Sequence, residues 1–290
     1  MPEAELLYAS LIPAEEVPVY HACPGSVAAR FVAAGAPWRC RLCRWAEIAS
    51  AEGLVVRRVR VEELLSRLRI ASPSLLVLDG PEPLASLGEA ALALPRLAER
   101  LLPSVEAAAV YTMGLLGPGP LRRAAEAGYR VALFEYTVPL ERPPGLDRVL
   151  EALAEAYRVF DVLEVIVHHD GSREATVALS GLVERYPEAG FHVYAREGAE
   201  DKAYEAAARV RDKHGVNVYV HPDESYTLSD TVCTSCGAVL VERKPWGVKV
   251  EAERTGRGLA RCPRCGAEAR LIPCSRPARR GSLHREVVVW

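Results

Sequence analysis

Between residues 30 and 220, short apolar runs rich in β-branched residues alternate with longer Ala/Leu/Glu/Arg stretches whose apolar positions recur at helical spacing. The runs predict strands at 30–34, 54–59, 74–78, 107–111, 130–134, 162–167, 191–194 and 216–220. The stretches between them predict helices at 43–51, 61–68, 84–102, 121–127, 146–157, 173–186 and 201–214, several closing near Gly128, Pro187 or Gly215. Strand then helix, repeated at this spacing, requires parallel strands with right-handed crossovers. The architecture is therefore α/β, either a doubly wound sheet or a (β/α) barrel, and seven or eight units favour a closed or partial barrel. In either case ligand and catalytic groups belong at the C-terminal ends of the strands.

Beyond Val220 the helical period stops, and Gly, Cys, Pro and short β-type runs take over. The expected organisation is a barrel over 1–220 and a small zinc-ribbon-like β domain with a tail over 221–290. In the closing PCSRPARRGSLHREVVVW, the run 287–289 suits an edge strand.

Composition narrows the function classes. At 290 residues the chain can bury a large core plus an appendage. It is 50% hydrophobic and 26% charged with a formal charge of -2, which excludes a disordered chain and gives no electrostatic footing for nucleic acid. Arg supplies 32 of the 36 basic residues, a bias without functional meaning. No apolar run approaches the ~20 residues of a membrane helix. The opening MPEAELLYAS lacks the basic-then-apolar order of a secretory signal, so a cytoplasmic location without membrane contact is expected. There the eight cysteines should be reduced thiols, and their clustering into CxxC pairs points to metal.

Cys233 and Cys236 in VCTSCG, and Cys262 and Cys265 in RCPRCG, form two CxxC knuckles separated by 25 residues. Two residues between thiolates let one tight turn offer both sulfurs to one ion, and Gly237 and Gly266 supply the permissive backbone after each pair. Together the knuckles make a four-sulfur zinc site, with a short hairpin around PWG between them. Four sulfurs leave no open coordination position, so the zinc is expected to fold the element rather than to perform chemistry. Cys274 is expected to be a spare thiol.

Cys40 and Cys43 lie in AGAPWRCRLCRWAEIAS, between the first predicted strand and helix, at the barrel mouth. Spacing alone leaves open whether they bind metal or are simply a pair at a helix start. The longer segment YHACPGSVAARFVAAGAPWRCRLCRWAEIAS resembles the opening of radical SAM proteins of the pyruvate formate-lyase-activating-enzyme type, in the branch that ends in a CxxC-CxxC element. Pro24, Gly25 and Ser26 match its PGS. Cys40 and Cys43 match the second and third cysteines of its CxxxCxxC, and Glu47, Ile48 and Ser50 echo the stretch downstream. LDGPEP at 78–83 resembles the GGEP loop through Gly80, Glu82 and Pro83, and Thr112 to Gly114 resembles a TNG strand end. The likeness spans roughly residues 20–272.

The resemblance implies a partial (β/α) barrel in which three cysteines hold a four-iron four-sulfur (4Fe-4S) cluster. The cluster's open iron would bind S-adenosylmethionine (S-adenosyl-L-methionine) and cleave it reductively to a 5′-deoxyadenosyl radical. Carried over, Cys40 and Cys43 would be iron-sulfur ligands, and Gly80 and Glu82 would lie beside the cofactor. Three departures fall on this site: Ala36 stands where the first cysteine belongs, Leu42 replaces the usual aromatic, and Pro81 removes an N–H from the cofactor loop. Cys23 precedes the first barrel strand, at the end opposite the mouth.

The reading that follows is a divergent radical-SAM-like protein with an incomplete cluster motif, impaired in reductive cleavage and serving as a binding or accessory protein for a protein or small-molecule partner. The alternative is an active enzyme with a non-standard third ligand. A third reading, a metabolic α/β-barrel enzyme using carboxylates, explains the strand–helix alternation but not the ordered motif matches. His168, His169 and Asp170 end one predicted strand and read as a polar turn. His192 reads as a packed, barrel-lining imidazole, while Glu135 and Tyr136 end another strand and could face the mouth.

Overall fold

A computed structural model describes residues 2–35, 38–222, 226–275 and 287–288. Nine strands precede the cysteine-rich block: β1 (Glu3–Pro13), β2 (Val27–Ala33), β3 (Arg57–Arg60), β4 (Leu75–Asp79), β5 (Ala107–Thr112), β6 (Val131–Tyr136), β7 (Val162–His169), β8 (Gly190–Ala195) and β9 (Val218–His221). The helices are α1 (Ala46–Ser50), α2 (Val61–Leu68), α3 (Pro83–Leu87), α4 (Glu89–Leu101), α5 (Pro118–Ala127), α6 (Leu146–Val159), α7 (Arg173–Arg185) and α8 (Glu200–His214). In the central sheet β2, β4, β5, β6, β7, β8 and β9 pair side by side and parallel, and β1 closes one edge antiparallel to β2. Among the described strands none joins β9 back to the other edge, so the sheet is an α/β partial barrel.

Local chemistry accounts for the element ends. Helix α7 starts where the Ser172 hydroxyl accepts the Ala175 N–H. Helix α5 opens on Pro118, whose ring fixes the first helical φ and whose missing N–H would have been unpaired there in any case.

Three expectations require correction. The run at 54–59 is not a barrel strand. The strand there, Arg57–Arg60, pairs antiparallel with Glu3 to Leu6 at the outer edge of β1. An RRVR strand cannot be buried on both faces, as an internal parallel strand must be. Strand β1 itself was not expected, because EAELLYASLIP lacks clean alternation. The long helix at 84–102 is two helices meeting at Gly88. As anticipated for 287–289, Val287 and Val288 pair with β1.

Alternation along the parallel strands sorts side chains between two layers. Leu163, Val165 and Val167 of β7, with Phe191 and Val193 of β8, pack outward under the helices. Leu75, Val77, Ala109, Leu133 and Ile166 pack inward. The inward register then carries Asp79, Tyr111, Glu135, His168, Tyr194 and His221 at the strands' C-terminal ends, with Arg30 midway along β2, forming the floor of the mouth.

The cysteine-rich block folds as two small antiparallel sheets. One comprises β10 (Thr231–Val232), β11 (Val239–Lys244) and β12 (Gly247–Val250), with the PWG turn between β11 and β12. The other comprises β13 (Glu253–Arg254), β14 (Ala260–Arg261) and β15 (Glu268–Ala269); the tail pair Val287–Val288 is β16. The block sits on the N-terminal ends of the barrel strands, away from the mouth. The Ile272 N–H donates to His21 O at 2.8 Å, Asn217 exchanges two bonds with Val232, and Arg270 donates to Tyr157 O at 2.7 Å.

Candidate functional site

Two sites emerge, at opposite ends of the barrel. In the ribbon, each knuckle closes the same way: Gly237 N–H bonds Cys233 O at 2.8 Å, and Gly266 N–H bonds Cys262 O at 2.9 Å. Both glycines have positive φ, 72° and 77°, which a side chain would strain. The four sulfurs of Cys233, Cys236, Cys262 and Cys265 lie within 4.8 Å of one another, with two cross-knuckle pairs at 3.7 Å. Metal–sulfur bonds of about 2.3 Å at tetrahedral angles would separate sulfurs by about 3.8 Å, so this set is a metal-sized tetrahedron. Burial raises the Cys262 thiol, but the N–H groups of Cys265 and Arg264 and the neighbouring sulfurs outweigh it and bring it down to about 7. Cys265 is helped by the Ala267 N–H, yet its crowding sulfurs push it up to about 12. The thiolate therefore forms more readily at Cys262 than at Cys265.

The mouth is built from the loop after β2 and the ends of β4 to β9. Asp79, fully buried, accepts from Arg30 Nε at 3.1 Å, Trp45 Nε1 at 3.0 Å and the Gly80 N–H at 2.9 Å. The Arg30 guanidinium lies 5.1 Å from the Trp45 ring. Glu135 accepts from the Tyr111 hydroxyl, from the Arg44 N–H at 2.7 Å and from His168 Nε2 at 2.5 Å. Glu141 accepts the N–H groups of Arg41 and Leu42. The cysteine loop is thus tied down by two carboxylates.

Cys40 and Cys43 are buried at this loop and joined to each other as a disulfide, and Cys23 is joined to Cys274. These bonds correct the expectations that all eight cysteines are reduced and that Cys274 is spare. The chain reversal before β2 brings Cys23 beside the strand following the ribbon, where Cys23 N–H bonds Ile272 O. Cys23 Sγ also lies 3.4 Å from Ser74 O, just ahead of β4. The seven residues of β2 separate it from the mouth by about 20 Å, so it supplies no ligand to Cys40 and Cys43.

Gly80 and Glu82, the residues matched to a cofactor loop, are engaged within the protein. A Cβ on Gly80 would lie 2.3 Å from Ala33 O, so close packing against β2 demands glycine there. The Glu82 carboxyl accepts from Thr112 Oγ1 at 2.7 Å and the Met113 N–H at 2.9 Å; burial raises its pKa against these bonds. Ala36 lies outside the described residues.

No known protein family matches the chain, and no curated protein does. Among solved structures it is similar to the crystal structure of QueE from Escherichia coli, at 12% identity and a TM-score of 0.48, over 76% of this chain and 94% of that one.

A second set of interior groups escaped the sequence reading. Glu164 accepts from His21 N–H at 2.6 Å, and from His21 Nδ1 and His192 Nε2 at 3.1 Å each. His192 Nδ1 meets His221 Nε2 at 2.9 Å, and Tyr219 OH joins His21 Nε2 to Thr231 Oγ1. Burial opposes ionisation of Glu164, but His21 and His192 hold it well below the usual carboxylate range. Burial lowers both His192 and His221, the latter further because His192 and Arg44 face it. His192 is a barrel-lining imidazole, as expected. His168 also points inward instead of forming a surface turn, whereas His169 turns outward to Thr176 Oγ1 at 3.1 Å. Tyr136 packs under the helices, away from the mouth.

Among the described residues the mouth holds two cysteines, Cys40 and Cys43, and no third thiol that would complete the ligand set of a four-iron four-sulfur cluster. The two sulfurs are bonded to each other, and the nearby carboxylates Asp79 and Glu135 each accept three hydrogen bonds from protein groups. A single metal ion does fit the ribbon's four sulfurs.

Proposed function

We propose that this chain is a radical-SAM-like barrel that has given up the iron–sulfur cluster and acts as a binding or accessory protein, with structural zinc in its C-terminal ribbon. The observation that carries the reading is the commitment of the cysteine loop to protein. The N–H groups of Arg41, Leu42 and Arg44 are held by Glu141 and Glu135, and Asp79 anchors Trp45 behind them. Such a loop keeps its shape without a cluster. The likeness of motifs around Cys40, Cys43, Gly80 and Glu82 supports descent from the radical SAM architecture, and the substitution at Ala36 supports loss of its chemistry. Zinc follows from four thiolate donors at tetrahedral spacing, remote from the mouth.

The deciding experiment is metal and sulfide analysis of the whole chain after anaerobic reconstitution, together with an assay for 5′-deoxyadenosine. About one zinc per chain, no stoichiometric iron and no conversion of S-adenosylmethionine are expected. About four irons with matching sulfide, and sustained conversion, would overturn the proposal in favour of an active radical SAM enzyme.

A further inference from the structure

The polar groups at the mouth are unequally paired. The buried acceptors Asp79, Glu82 and Glu135 are all engaged. Arg44 is different. Its guanidinium reaches into the floor, with one nitrogen 3.9 Å from Asp79 and the whole group within electrostatic reach of Tyr194, Glu135 and Tyr111. Its Nη1 is buried and, among the described residues, has no acceptor.

Two further groups face the same region. Tyr194, at the end of β8, has its ring 6.1 Å from His168 and stacks on His221 at 4.8 Å; no described residue hydrogen-bonds its hydroxyl. His168 spends Nε2 on Glu135, and its Nδ1 has no described partner. Because Glu135 already accepts from Tyr111 and the Arg44 N–H, it requires the proton of that contact to reside on His168 Nε2. The Nε2–H tautomer of His168 presents an Nδ1 lone pair. The region offers two donors, Arg44 Nη1 and Tyr194 OH, beside one acceptor.

We infer that the mouth binds a small oxyanion that also carries a hydroxyl, the chemistry shared by hydrogen phosphate and α-hydroxy carboxylates. The oxyanion accepts from Arg44 Nη1 and Tyr194 OH, and the hydroxyl donates to His168 Nδ1. Glu135 is a positioning residue, fixing both the imidazole tautomer and the backbone of Arg44. This inference rests on the cluster-free reading of the mouth.

Isothermal titration of the zinc-replete full chain with inorganic phosphate, glycolate, acetate and glycolamide tests it. Phosphate and glycolate are expected to bind, acetate about tenfold more weakly because it lacks the hydroxyl, and the uncharged glycolamide not measurably. Arg44→Gln should weaken phosphate, glycolate and acetate alike by about tenfold or more. His168→Phe should abolish the preference for glycolate over acetate while leaving acetate unchanged. Tyr194→Phe removes one hydroxyl at little risk to folding and should weaken every oxyanion, which keeps the test open if Arg44→Gln does not fold. Absence of oxyanion binding to iron-free protein, or binding indifferent to both Arg44→Gln and Tyr194→Phe, would overturn this inference alone. Stoichiometric iron and sulfide on reconstitution would instead overturn the reading beneath it.

Discussion

Glu164 shows how much a single buried residue commits the surrounding protein. One carboxylate in the barrel interior fixes two imidazoles, and through His192 it orders His221 at the mouth. The pH dependence of stability follows. His192 and His221 have folded pKa values below their ordinary 6.5, so the unfolded chain takes up their protons first as pH falls. Their contribution is present above pH 6.5 and is lost below it. Glu164, whose folded value lies below 4.5, contributes above that pH and loses its contribution as pH falls through the lower folded value. The urea midpoint should therefore decline from pH 6.5 downward, and His221→Phe should make the decline between pH 6.5 and 5 shallower. An unchanged slope in that variant would show that other groups govern acid sensitivity. Nothing in the sequence links Glu164 to His21, 143 residues away, because an inward Glu in an apolar strand has no periodic signature.

At the scale of elements, the ribbon and the cysteine loop invert their sequence-level similarity. Both present CxxC, but only the ribbon places a Gly of positive φ after each pair and brings two pairs together. On the proposed metal-bound ribbon, removing the metal should therefore unfold the ribbon while leaving the barrel folded. Hydrogen exchange in the presence of a strong chelator should accelerate over 231–271 and remain slow in β4 to β7; uniform acceleration would mean that the metal governs the whole fold. Most helices and parallel strands were legible because their apolar periods of 3.6 and short β-branched runs are local properties. Strand β1 and the displaced Arg57–Arg60 were not, since an antiparallel edge depends on which partner lies beside it.

In the whole molecule, Arg243 fastens the ribbon to the barrel. It is buried, donates to Tyr20 O at 2.6 Å, Ser229 O at 2.9 Å and Thr231 Oγ1 at 2.9 Å, and lies 4.4 Å from the Tyr20 ring. Arg243→Ala removes three donated hydrogen bonds and the cation 3.7 Å from the Glu15 carboxylate, and should cost about 3–5 kcal/mol. Calorimetry should then resolve two unfolding transitions where the parent shows one; a single transition of unchanged midpoint would deny Arg243 this role. Among the described residues no helix is long and apolar enough to cross a membrane.

By itself the sequence determined the α/β alternation and the two-knuckle thiolate set, because each follows from spacing along one chain. Tertiary structure alone decided that Cys23 belongs with Cys274, that Glu141 and Glu135 hold the Cys40–Cys43 loop, and that Arg44, Tyr194 and His168 share one floor. These pairings join residues from about 30 to 250 positions apart, and only the curvature of the sheet and the docking of the ribbon bring them within bonding distance.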